Sequence, residues 1–296
     1  MGLLEPRLDG AVVLPDGRRT GFAEYGVADG FPVLWFHGTP GARHQVPPLA
    51  RSAAVDLRLR VVGVERPGIG LSTNHRHDSV AGFASDIEHV ADRLGFERFG
   101  VVGLSGGGPY TLAVAHRLPD RVASVGVLGG VAPTVGPHAS RGGFVPLART
   151  FNGLLGTLAT PLAATFWAMI NGLAPIAGPV YGRATQLMPA GDREVFASDG
   201  VEEMFLGDLI SGSRRQCMAL VHDAVLFGRH WGFDPTEIEV PVYWWHGDAD
   251  PIVRLDHARN LAAEMPTVTF EVREGESHLG GFGIAREVLD AVTSHR

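Results

Sequence analysis

The chain has 296 residues, enough for one large α/β core or two small domains. Its 25 basic and 32 acidic residues leave a net charge of −7, and no lysine- or arginine-rich tract occurs, which argues against a nucleic-acid partner. The single cysteine, Cys217, cannot form an intrachain disulfide, and the opening MGLLEPRLDG lacks the apolar run of a signal peptide, so a cytoplasmic protein is expected.

Val12–Leu14 and Arg19–Tyr25 flank the turn sequence Pro15-Asp16-Gly17 and predict an antiparallel hairpin. Val33–Phe36 and Val61–Val64 are β-rich runs bounded by Gly and Pro. Val80, Phe83, Ile87, Val90 and Leu94 recur at helical spacing, with Asp78 or Ser79 placed to cap the start and Gly95 to end it. Phe99–Leu104 predicts a strand, followed at once by glycine-rich Ser105–Gly108 and an apolar helix to about Arg117. Val122–Leu128 predicts the next strand. Such strand–helix alternation implies βαβ units and a mostly parallel sheet with helices on both faces.

From Ala132 to about Trp231 the alternation lapses into helices broken by Gly and Pro. It resumes with Val242–His246, a helix near Leu255–Glu264, Val268–Val272 and a last helix carrying Ile284, Val288 and Val292. The predicted architecture is one α/β core, residues 1–131 and 232–296, interrupted by a helical insertion at 132–231.

Gly103-Leu104-Ser105-Gly106-Gly107 matches G-x-S-x-G between a predicted strand and a predicted helix. A serine there sits on a tight, strained turn that only flanking glycines permit, and its hydroxyl projects past the sheet edge. Serine is a poor nucleophile until a base takes its proton, and the base in turn needs a carboxylate to hold its tautomer. His278 follows Val268–Val272 in a loop, and Asp250 follows Val242–His246. Each alone is an ordinary loop residue. In the order Ser, Asp, His, at strand ends sharing one sheet edge, they form a set suited to acyl transfer. Acyl transfer also needs two donors for the developing oxyanion. The N–H of Gly106 and that of Thr39, in His37-Gly38-Thr39-Pro40-Gly41 after Val33–Phe36, are placed for it; Pro40 has no N–H.

These motifs resemble those of the α/β-hydrolase superfamily along almost the whole chain outside the insertion. HGTPG resembles its oxyanion-loop HG-x-P motif, GLSGG its nucleophile elbow and GESHLG its histidine loop. GDADPIV resembles the acid-bearing loop, which implies Asp250 as the acid and Asp248 as the fallback. Glu65–Ser72 resembles the family's D-R-P-G-x-G-x-S turn with Glu65 in the aspartate's place, an architectural element. The insertion occupies the family's cap position. By the same resemblance, haloalkane dehalogenases and epoxide hydrolases carry aspartate where Ser105 stands, and dienelactone hydrolases carry cysteine. Proline iminopeptidases use HGGPG and a tryptophan-containing elbow. Esterases, lipases, thioesterases, C–C hydrolases and cofactor-free perhydrolases remain.

His75-Arg76-His77-Asp78 reads as a solvated loop rather than a metal site, and no metal or organic cofactor is implied. His37 reads as a loop organiser, and His44, His89 and His257 as surface or packing residues. Thr150 to Gly182 carries no charge and is long enough to span a bilayer. Asn152, Pro161, Asn171, Pro175 and five glycines interrupt it, so the reading is apolar cap helices over the active site; membrane contact through the cap is the less favoured alternative. The expected function is hydrolysis of a carboxylic ester or related acyl compound, with a hydrophobic acyl substrate, through an acyl-Ser105 intermediate. An acyltransferase or perhydrolase would use the same triad, and a ligand-binding sensor of the same fold is the alternative from another class.

Overall fold

The turn residues at the start produce the expected hairpin. β1 (Leu8–Val13) pairs antiparallel with β2 (Arg19–Gly26), and Gly17 between them takes a φ of 85°, open to glycine and strained for other residues. The structure is a computed structural model that describes residues 4–140 and 147–296. Six further strands follow: β3 (Phe31–Phe36), β4 (Leu59–Val64), β5 (Phe99–Leu104), β6 (Val122–Leu128), β7 (Val242–Gly247) and β8 (Val268–Arg273). They lie in the order β1-β2-β4-β3-β5-β6-β7-β8, parallel from β4 through β8, with β2 antiparallel to β4.

Helices α1 (Pro48–Asp56), α2 (Phe83–Leu94) and α3 (Gly108–Arg117) connect the first parallel strands. Sequence periodicity did not single out α1, whose inward face is mostly alanine: Ala50, Ala53 and Ala54, buried at helical spacing. Ser79 makes no side-chain cap. The chain enters α2 through a 3-10 turn at Val80–Gly82, and the Ala81 N–H donates to the Trp231 carbonyl at 2.9 Å. Gly95 ends α2 in the left-handed region, φ 75°, as predicted.

Between β6 and β7 the described residues contain no strand. They form α4 (Leu147–Thr150), α5 (Asn152–Thr157), α6 (Ala159–Leu173), α7 (Ala177–Gln186), α8 (Ala190–Phe196), α9 (Val201–Ser213) and α10 (Met218–Phe227). Residues 141–146 of the predicted insertion lie outside the described residues. The core then resumes with α11 (Leu255–Glu264) and α12 (Ala285–Val292).

Alternation along β3 divides the core into two layers. Leu34 and Phe36 pack with Phe83 and Ile87 of α2 and Leu112 of α3, whereas Val33 and Trp35 pack with Ala50 of α1 and Val288 and Val292 of α12. All of these are fully buried, each large side chain contributing roughly 1.5–3 kcal/mol.

The uncharged run of the insertion is arranged differently from the sequence expectation. From Thr150 to Gly182 the buried residues are Ala159, Ala163 and Tyr181. Leu162 and Phe166 pack on Val221 and Met218 of α10, while Phe151, Leu154, Trp167, Met169, Leu173, Ile176 and Val180 are exposed. The physical reason is α10 itself. Its sequence MALVHDAVLF is apolar around most of its circumference, so it fills the space beside the core and leaves only a narrow inner face for α6. The helical stretch Ala159–Gln186 is long and apolar enough to cross a membrane, and 11% of its most apolar window is buried.

Candidate active site

β5 ends at Leu104 and α3 begins at Gly108, so Ser105 stands on the turn between them with φ 52°, left-handed and strained for a serine. Crowding explains the flanking glycines. A Cβ on Gly103 would stand 2.6 Å from the Gly107 carbonyl, and one on Gly107 would stand 2.3 Å from the Phe36 oxygen. The serine is 8% exposed, with the start of α3 directly behind it.

The loops after β7 and β8 bring the other two residues to it. His278 Nε2 lies 2.6 Å from Ser105 Oγ, and His278 Nδ1 lies 2.7 Å from Asp250 Oδ2. With the proton on Nδ1 donated to the carboxylate, Nε2 is free to accept the serine hydroxyl proton. Asp250 Oδ1 accepts the backbone N–H groups of Ile252 (2.8 Å) and Val253 (2.9 Å), which fixes the carboxylate plane. Asp248 is exposed; its carboxylate accepts the Gly275 N–H at 2.9 Å and braces the histidine loop without touching His278. His246 Nε2 donates to the Val253 carbonyl at 2.8 Å, and burial holds this imidazole below its ordinary pKa.

The Thr39 side chain lies close against Gly106. A Cβ on Gly106 would stand 2.2 Å from Thr39 Oγ1 and 3.3 Å from Phe227 Cε2, so a side chain here would have to displace Thr39. His37 is buried. Its Nδ1–H donates to the Gly38 carbonyl at 2.8 Å and its Nε2 accepts the Arg66 N–H at 3.2 Å, an assignment that leaves the ring neutral. Burial first, and the nearby Arg66 charge second, push its pKa well below the usual histidine value. It organises the loop and stands apart from the Ser105–His278 proton path.

Sequence reading missed the residues by which the insertion grips this region. Three buried carboxylates reach from its helices to core loops. Asp192 of α8 accepts the backbone N–H of Ser277, beside His278, at 3.1 Å and also its hydroxyl. Asp208 of α9 accepts the N–H groups of Ala42 (2.7 Å) and His44 (2.9 Å), and burial raises its pKa to about 7. Asp223 of α10 pairs with Arg66 at 2.8 Å. A visible signal existed for two of them: Asp223 is the lone acid of the apolar helix MALVHDAVLF, and Asp208 stands in the apolar stretch MFLGDLISG that follows Glu202 and Glu203 in α9. Such residues need buried partners.

Among the described residues no group of three or more His, Cys, Asp or Glu side chains is arranged to hold a metal. His75 and His77 meet edge to face with ring centroids 4.6 Å apart, and His77 Nε2 bonds Asp86 at 2.9 Å.

A family model described as the alpha/beta hydrolase fold matches residues 32–282. Over 125 residues, 41% of the chain, the sequence is 34% identical to a 2-hydroxymuconate semialdehyde hydrolase of Pseudomonas putida, covering 43% of that protein. It is 31% identical over 103 residues, 34% of the chain, to a probable proline iminopeptidase of Leptolyngbya boryana, covering 32% of it. The chain thus spans less than half the length of these curated relatives. A thermophilic esterase from Thermogutta terrifontis superposes with a TM-score of 0.68 at 20% identity, over 98% of this chain and 100% of that one, a likeness of fold. By the extent of the family match, by its sheet order and by its strand–Ser105–helix turn, the chain belongs to the alpha/beta hydrolase fold family.

Proposed function

We propose that the protein hydrolyses a carboxylic ester or closely related acyl compound through an acyl-Ser105 intermediate. The observation that carries this is the continuous hydrogen-bonded path from Ser105 Oγ through His278 to Asp250, with spacings of 2.6 and 2.7 Å, on a serine held at φ 52°. In acylation His278 Nε2 takes the Ser105 proton as Oγ bonds the acyl carbon, then returns it to the departing alcohol as the carbon–oxygen bond breaks. In deacylation the same nitrogen takes a proton from water as the water oxygen bonds the acyl carbon, then gives it to Ser105 Oγ as the carbon–Oγ bond breaks and the acid leaves. The N–H groups of Thr39 and Gly106 take the oxyanion charge in both halves.

A ligand-binding sensor does not require this aligned proton path, and the aligned path favours turnover. An acyltransferase or perhydrolase would differ only in the acceptor that reaches the acyl-enzyme. Peptide release at proline is less favoured, because HGTPG and GLSGG stand where the resemblance calls for HGGPG and a tryptophan-bearing elbow. An apolar acyl or alcohol group is proposed from Phe227, whose ring borders Gly106. The test is labelling with a fluorophosphonate and turnover of p-nitrophenyl esters. Ser105→Ala is expected to abolish both, with a loss of up to ~10⁶ in kcat. A folded Ser105→Ala protein with undiminished turnover rejects the mechanism.

A second reading concerns location: the outer face of α5 to α7 rests on lipid. Its large apolar side chains are exposed, Trp167 among them, and no Asp or Glu occurs between Asp120 and Asp192, whereas Arg149 and Arg183 bound the uncharged run. Glu202 of α9 borders the same face near Gly178.

A further inference from the structure

We infer that Arg66 and Asp223 are positioning residues for the oxyanion site, through which helix α10 of the insertion sets the direction of the Thr39 N–H. The inference rests on the hydrolase reading above and names two residues that it leaves unused.

Both side chains are 2% exposed. The Arg66 guanidinium is spread over the oxyanion loop: Nη1 donates to the His37 carbonyl at 2.5 Å, and Nη2 donates to the Gly38 carbonyl at 2.8 Å and to Thr39 Oγ1 at 2.9 Å. Nε faces Asp223 at 3.0 Å, and Nη2, whose two hydrogens are shared among three acceptors, also lies 2.8 Å from that carboxylate. The carboxylate is completed by the Tyr110 hydroxyl at 2.7 Å and the Thr39 hydroxyl.

The consequence follows from peptide geometry. In a trans peptide the carbonyl and the following N–H point in opposite directions. The Gly38 oxygen is held by Arg66 Nη2 and by His37 Nδ1–H together, and the Gly38 N–H donates to Gln45 Oε1 at 2.6 Å. With that oxygen pinned on the guanidinium side, the Thr39 N–H is turned away from the guanidinium, and in the hydrolase reading that direction is the oxyanion's. A cation on the carbonyl also polarises the amide and strengthens its N–H as a donor. Rotation of this one peptide would aim an oxygen, not a proton, at a developing oxyanion.

Asp223 is what keeps the cation in place. A buried guanidinium facing only carbonyls would be an uncompensated charge, and pairing removes that penalty. One helical turn further along α10, Phe227 lies against Gly106, the other proposed donor. The same face of one helix therefore addresses both halves of the oxyanion site, Thr39 through the Asp223–Arg66 pair and Gly106 by contact.

The experiment compares wild type, Asp223→Asn and Tyr110→Phe, with active sites counted by fluorophosphonate stoichiometry. Asp223→Asn is expected to lower kcat on p-nitrophenyl acetate by about 10²-fold, near the value of one oxyanion donor. KM should stay within about twofold, and affinity for phenylboronic acid, which loads the oxyanion site as a tetrahedral adduct, should fall in parallel. Tyr110→Phe removes one bond to Asp223 without burying a charge, and should show the same pattern at severalfold, also covering the case in which Asp223→Asn does not fold. A merely structural pair would lower thermal stability and the number of labelled sites, leaving kcat per site and boronate affinity unchanged. That result in folded variants overturns the inference. A wild type that neither labels nor turns over ester would instead overturn the hydrolase reading beneath it.

Discussion

Replacing Asp250 with asparagine alters one atom of the site, and the structure dictates which way the new group faces. Asp250 Oδ1 accepts two backbone N–H groups, from Ile252 at 2.8 Å and Val253 at 2.9 Å. An amide NH2 cannot accept either, so the asparagine oxygen must remain there and its nitrogen must turn to His278 Nδ1, where Oδ2 now sits at 2.7 Å. Two donors would then face each other unless the imidazole gives up its Nδ1 proton. The ring therefore shifts its proton to Nε2, 2.6 Å from Ser105 Oγ, and can no longer accept the serine hydroxyl. A wrong tautomer of this kind lowers kcat by roughly 10⁴, about 5 kcal/mol in the barrier. The assay is kcat on a p-nitrophenyl ester for Asp250→Asn and Asp248→Asn, both checked for folding by circular dichroism. Asp248→Asn should lose little, because that carboxylate touches the Gly275 N–H and not His278. An Asp250→Asn enzyme within tenfold of wild type, or a larger loss in Asp248→Asn, would refute the reasoning.

Two further outcomes are expected. Asp208 is held at about 7 rather than 3.8 by burial, so between about pH 4 and 7 the folded state keeps a proton that the unfolded chain releases. Stability should fall as pH rises through that window and level off above it, by at most about 4 kcal/mol from this group. Asp208→Asn should flatten the profile in thermal melts, and a wild-type-minus-variant difference constant from pH 4 to 8 would disprove it. For the outer face of α5 to α7, flotation with vesicles containing anionic phosphatidylglycerol should carry the protein upward, and Leu154→Asp with Leu173→Asp should abolish this. Wild type that stays at the bottom, or that forms dimers through this face in light scattering, removes the lipid reading.

The strands and the fold class were legible in the sequence for a local reason. Most core strands are short apolar runs with Gly or Pro close by, and the bounds of Phe99–Leu104 and Val122–Leu128 match those read from the residues alone. Ser105 was legible because its backbone conformation demands glycines at fixed offsets, which leave a trace in the string. Helix α1 was not, since alanine carries a weak periodic signal and it is recognised by the groove it fills. Arg66 lay in plain view within a turn motif, but its partner stands 157 residues away on α10, and no spacing rule connects them. The same holds for Asp192 and Ser277, 85 residues apart. The outward turn of the apolar run in α5 to α7 was likewise decided by packing, because the apolar α10 occupies the inner position. Local backbone preference and hydrophobic period act over a few residues and so can be read in order along the chain. A buried carboxylate takes whichever donor the folded chain brings within 3 Å, and that choice exists only once helices and sheet have closed on each other.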